Sequence, residues 1–141
     1  MKKIIALLLC CMCITLSGCS GKVSDVANEN TIDTLDGIWR QFEYVEDSYL
    51  EAVVDGDIIT INIVQSNGIP LGVYWYGNAP VLSESVDSYQ WISDCDLSKI
   101  HYSLVSGSDK QKHFIYKDEC LWMPYSMDDY SVIMRLERVE E

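Results

Sequence analysis

The chain has 141 residues, 48% of them hydrophobic and 11% aromatic, with 10 Lys+Arg against 22 Asp+Glu and a formal net charge of −12. That length suits a single domain with its own core and is too short for a targeting segment followed by two ordinary domains. The acidity repels phosphate backbones and anionic headgroups, which excludes nucleic acid as the expected partner and excludes membrane attachment through a basic patch.

Lys2 and Lys3 precede an apolar run from Ile4 to Leu16. About a dozen residues fall short of the roughly 20 that span a bilayer as a helix, so the run reads as a secretory signal. It closes on Leu16-Ser17-Gly18-Cys19. This tetrapeptide resembles the lipobox of bacterial lipoproteins. The resemblance implies that Cys19 carries a thioether-linked diacylglycerol, that the chain is cut between Gly18 and Cys19, and that residues 1–18 are discarded with Cys10, Cys11 and Cys13. Two or three acyl chains anchor a protein stably where one binds only marginally. The expected address is the outer, extracytoplasmic face of a bacterial cell membrane.

Ser20 to Thr34, SGKVSDVANENTIDT, is polar, lacks aromatics and has no sustained period. Residues 19–34 therefore read as the lipidated cysteine and a flexible tether, with a reach on the order of 20 Å. All four tryptophans, both phenylalanines and all nine tyrosines lie beyond Leu35, so the folded domain is expected over 35–141.

Within it, short segments rich in aromatic and β-branched residues recur about every ten residues between turn signals. In chain order they are 37–44 (GIWRQFEY), 49–54 (YLEAVV), 57–64 (DIITINIV), 71–76 (LGVYWY), 88–93 (SYQWIS), 100–105 (IHYSLV), 112–117 (KHFIYK), 120–125 (CLWMPY) and 130–139 (YSVIMRLERV). The expected fold is all-β, an antiparallel up-and-down meander of about eight to nine strands that closes into a barrel to remove exposed edges. Asp55-Gly56 is a strong hairpin signal, Asn67-Gly68 a second and Asp118-Glu119 a weaker third. Ile59, Ile61 and Ile63 share one face, as do Val132, Met134 and Leu136. Segment 71–76 breaks the alternation, since Val73 and Trp75 oppose Tyr74 and Tyr76, and Pro124 points to an edge or a bulge.

Asp36-Gly37-Ile38-Trp39 opens the first strand. A G-x-W at the start of an aromatic-rich meander resembles the lipocalin and calycin group. The resemblance implies that Trp39 plugs the closed end of the barrel and packs on a basic side chain near the last strand, with Arg135 and Arg138 as the matching candidates. The whole layout is also similar to small uncharacterised lipoproteins of Gram-positive bacteria, which implies that envelope type. Trp39 is structural in that group and names no ligand. An eight-stranded barrel is either filled by its own side chains or holds one small molecule. Tyr74, Trp75, Tyr76, Tyr89, Trp91 and Trp122 could wall a small apolar or sugar ligand or face a protein partner, and the same ring types also build small β cores.

The remaining chemistry is thin. His101, His113, Cys95 and Cys120 are the candidates for a thiol hydrolase, with both cysteines and His101 expected at one rim. A Cys95–Cys120 disulfide is permitted by export, although the strands between them hold the pair apart unless the 94–99 loop leans across. Asp94 to His101, DCDLSKIH, matches no metal-ligand spacing. No catalytic, cofactor or metal residue is assigned, and neither an enzyme nor an oligomer is expected. The expectation is a membrane-anchored extracytoplasmic monomer that binds a small ligand or a partner, its rival being a structural or partner-binding protein with a filled barrel.

Overall fold

In the computed structural model, residues 31–44, 47–100, 109–127 and 130–140 are described. Eight strands, β1 (Gly37–Gln41), β2 (Ser48–Asp55), β3 (Ile58–Gln65), β4 (Pro70–Asn78), β5 (Ser88–Asp94), β6 (Gln111–Lys117), β7 (Cys120–Met127) and β8 (Tyr130–Arg138), form one antiparallel sheet in the order β4-β3-β2-β1-β8-β7-β6-β5. Every sequential pair is hydrogen-bonded except β4 and β5, and β8 returns to β1. The sheet thus curls into a half-barrel whose seam lies between β4 and β5. Among the described residues the only helical piece is a single 3₁₀ turn at Leu97–Lys99. Of the sequence segments, 100–105 lies outside the described residues apart from Ile100, which follows that turn. The lipobox, Cys19 and His101 also lie outside them.

The turns follow from backbone chemistry. Gly56 carries a positive φ of 60° in the two-residue β2–β3 turn. Asp118 and Glu119, at φ 52° and 61°, make the β6–β7 turn, where both central positions take positive φ as in a type I′ hairpin. Gly68 (φ 86°) sits in the longer β3–β4 loop, where the Asn67 side chain accepts from the Ile69 amide at 3.0 Å.

Large side chains fill the concave side. Trp39, Tyr74, Trp75, Phe114, Tyr116, Ile59, Ile61, Leu121, Met123 and Leu136 are all at most 1% exposed. The expected alternation of Ile59, Ile61 and Ile63 holds, and Met134 and Leu136 face inward with the core. The irregularity of 71–76 has a cause. Ile61 pairs with Trp75 and Asn62 with Val73, so Tyr74 is the extra residue of a bulge. A bulge lets neighbours point the same way, and both Tyr74 and Trp75 enter the core. Pro124 sits where β7 has lost one neighbour: its ladder to β6 ends at Trp122, while β8 continues alongside.

Candidate functional site

Two ends of the half-barrel are built differently. At one end the chain from Ile32 to Asp36 crosses the opening as a strap. Ile32 exchanges backbone hydrogen bonds with Val86 at 2.9 and 3.0 Å, and the Ser85 hydroxyl meets the Asp33 carboxylate. Ordered contacts therefore begin before Leu35. The Trp39 indole N–H donates to the Leu35 carbonyl at 2.9 Å. Arg138 lies over the same ring at 4.7 Å and donates to the carbonyls of Thr34 (2.7 Å) and Asp36 (3.1 Å). Of the two basic candidates, Arg138 is the one on Trp39. Arg135 instead stacks on Phe42 at 4.4 Å, donates to Cys120 Sγ at 3.2 Å and pairs with Glu137 at 2.7 Å. That hydrogen bond to Cys120 is the main reason the Arg135 guanidinium holds its proton still more firmly than usual.

Beside this strap, between the β6–β7 turn and the end of β8, lies a cleft of about 470 Å³. Tyr116, Cys120, Glu119 and Glu140 line it together with Ile32 and the two arginines. Tyr116 packs edge-on against Trp39, with ring centres 6.0 Å apart, and its hydroxyl is buried without a hydrogen-bond partner. Burial first, and then the Glu119 carboxylate, push its pKa above the usual phenol value, against a smaller lowering from Arg138. The phenol thus stays neutral and protonated in the physiological range.

Along the seam, side chains do the joining. Gly77 and Cys95 form an isolated bridge, and the Asp96 amide donates to the Tyr76 carbonyl at 2.9 Å. The Trp75 indole donates to Ser93 Oγ at 3.1 Å, and Trp91 to the Asn78 carbonyl at 3.2 Å. Lys112, whose side chain is wholly buried, points its ammonium at the rings of Tyr74 (5.0 Å) and Trp75 (5.2 Å) and at Asp109, 3.3 Å away. Alternation with Phe114 and Tyr116 in KHFIYK would have placed Lys112 on the inner face.

Several expectations need correction. Tyr74, Tyr76 and Tyr89, named among the rings that could face a partner, do not form one exposed surface, because the bulge turns Tyr74 inward and Tyr76 is half-buried. Trp75 and Trp91 are core rings too, the latter stacked on Phe114 at 5.0 Å. Tyr89 remains exposed, beside a second groove of about 540 Å³ with Gln90, Ile115 and Lys117. Trp122 is half-buried and donates to the Lys117 carbonyl at 3.3 Å. Cys95 and Cys120 are free thiols rather than a disulfide. They also fall at opposite ends of the β5–β6–β7 ladder, roughly 20 Å apart along the strands. The reason is parity: β5 pairs directly with β6 and β6 with β7, so the end of β5 and the start of β7 fall on opposite rims. Exposed His113 sits opposite Ile92 on β6.

Among the described residues no cluster of three or more metal-ligating side chains occurs, and no helix is long and apolar enough to cross a membrane. A scan against family models and searches of curated proteins and of solved structures return no match.

Proposed function

We propose that this chain is a lipid-anchored envelope module whose packed half-barrel is a rigid platform, and that it binds a small polar ligand at the end cleft rather than carrying one inside. The observation that supports this reading is the pairing of a concave face filled by Trp39, Tyr74, Trp75, Phe114 and Tyr116 with an open cleft outside it that is lined by charged side chains, Glu119, Glu137 and Glu140 beside Arg135 and Arg138. A lipid on Cys19 would hold the domain within a short leash of the membrane, which favours capture of ligands at the cell surface over transport.

A lipophilic fluorescent probe tests the choice of site. The expected result is no saturable change in tryptophan emission, because Trp75 and Trp91 are buried in the packed core. Saturable quenching together with shifted amides of β3 and β4 would move the binding site inside and end this reading. Anchoring has its own test: Cys19→Ser should release the protein from the membrane fraction, and retention there would refute the lipid.

A second reading rests on the sheet order. β4 and β5 are its terminal strands, and the groove beside Tyr89 lies across the paired strands β5 and β6, so a protein partner could dock on that face.

A further inference from the structure

The two terminal strands of the sheet guard their free edges differently. β4 opens on Pro70, its pairing with β3 slips between Ile61 and Asn62 and again between Ile63 and Val64, and its last residues are met by Cys95 and Asp96. Proline and bulges are common means of keeping an edge from pairing. β5, SYQWISD, has neither. Seven consecutive residues pair with β6 without a shift, and the strand holds no proline and no lysine.

Which of its peptide groups face outward follows from the ladder. The Cys95 amide donates to the Lys110 carbonyl, so by alternation Ser93, Trp91 and Tyr89 turn their N–H and C=O groups to β6, while Asp94, Ile92, Gln90 and Ser88 turn theirs away from it. The Asp94 amide bears out that parity, since it donates across the seam to Asn78 Oδ1 at 2.6 Å. The amides of Ser88, Gln90 and Ile92 have no such partner among the described residues, and all three side chains are exposed.

An edge of this kind takes up an extended strand. Charge and self-complementarity choose which one. From Ser88 to Ser93 the strand is uncharged, on a chain of net charge −12 whose copies repel one another elsewhere. An antiparallel pair with its two-fold axis at Gln90 sets that residue against the partner's Gln90, Ser88 against the partner's Ile92 and Tyr89 against the partner's Trp91. The three free amides of each strand then meet carbonyls. Asp87 and Asp94 lie opposite the partner's Ser93 and the partner's Val86, so no acid is set against an acid.

We propose that two copies of this chain join edge to edge through β5, making one continuous sheet across a two-fold axis at Gln90. The pairing goes beyond the end-cleft reading and does not depend on it.

The test is sedimentation equilibrium of the full chain over about a hundredfold range of concentration, with amide exchange followed at both ends of that range. The expected result is a monomer–dimer equilibrium in which the Gln90 and Ile92 amides exchange about tenfold or more slowly in the dimer, while those of β2 and β3 are unchanged. Gln90→Pro removes an amide that β6 does not use, and Gln90→Lys sets two ammonium groups against each other at the axis; each should weaken the dimer about tenfold or more. Gln90→Lys, at an exposed position, should keep the parent's unfolding midpoint, so its loss of dimer is not loss of fold. A monomer at every concentration overturns the proposal, even where an added strand-forming peptide protects Gln90 and Ile92, a result that gives the edge to another protein. A dimer that both substitutions leave intact, or one whose protection falls at the end cleft on residues 116–120 and 138–140, overturns it as well.

Discussion

The hydroxyl of Tyr74 on β4 meets the backbone of Ser126 on β7, 52 residues later, donating to its carbonyl at 3.3 Å and accepting from its amide at 3.1 Å. The contact spans the concave side where β7 has parted from β6 beyond Trp122, so one side chain satisfies two peptide groups that the sheet leaves unpaired. Tyr74→Phe should therefore cost about 1–2 kcal/mol, because it orphans both backbone groups at once. Urea unfolding gives the number. A Phe variant as stable as the parent would mean that water already serves Ser126.

The Arg138 cap on Trp39 combines a ring contact with two carbonyl hydrogen bonds to the strap. Removing the side chain frees the carbonyls of Thr34 and Asp36 and uncovers the indole. Arg138→Ala is expected to lose about 2–3 kcal/mol, Arg138→Lys to recover only part of that, and Arg135→Ala to lose less than about 1 kcal/mol. Thermal melts of the three variants order them. Equal losses at 135 and 138 would show that charge at the end of β8, rather than the fork geometry, carries the effect.

The strand meander was legible because hairpin residues and aromatic periodicity are local signals. Gly56, the Asp118-Glu119 pair and the Ile59-Ile61-Ile63 face all stand where those signals put them. What the sequence hid depends on register. Simple alternation sets Tyr74 opposite Trp75, but the bulge opposite Ile61 and Asn62 puts these two neighbours on one face. The rim expected to hold both Cys95 and Cys120 failed because β5 pairs directly with β6. The orphan hydroxyl of Tyr116 is invisible to any pattern, since its lack of a partner is a fact about its surroundings. Trp39 and Arg138 could be paired only through the G-x-W resemblance, because 99 positions of chain carry no local sign that they touch.

Lys112 buries an ammonium against the rings of Tyr74 and Trp75, whereas its ionic partner Asp109 is half exposed. Replacement by a side chain of similar volume removes the desolvated charge without leaving its partner charge buried. Lys112→Met should stay within about 1 kcal/mol of the parent, while Lys112→Ala, which leaves a cavity, should lose about 2–4 kcal/mol. If Met proves as damaging as Ala, the ring contacts of the ammonium outweigh its burial.

Alkaline stability should fall in a defined way. Burial raises both the Cys95 thiol above its ordinary 9.0 and the Tyr116 phenol above 10.0, with the Tyr76 backbone partly opposing the first and Arg138 the second. For each, the folded state holds its proton more tightly than the unfolded one. Their contribution is complete below those ordinary values and is lost as pH rises through the raised ones. Unfolding midpoints should drop above about pH 9 in the parent and less steeply in Cys95→Ala and Tyr116→Phe. An alkaline limb of unchanged slope in both variants would assign the effect to other groups.

Gly77 makes the seam possible. A Cβ built there would fall 2.8 Å from Trp75 Nε1 and closer still to Ser93 Oγ and the Asp94 carbonyl. Any side chain must push β4 and the end of β5 apart, breaking the Gly77–Cys95 bridge and the amide bond from Asp96 to Tyr76. Gly77→Ala should cost about 1–3 kcal/mol and speed amide exchange at Cys95 and Asp96 more than at β2 or β3. Adding Ser93→Ala removes one of the three obstacles but not the Asp94 carbonyl, which belongs to the backbone, so rescue should be partial. A neutral Gly77→Ala with unchanged exchange would mean that the two strands do not meet there in solution, and that the half-barrel stays open along its whole seam.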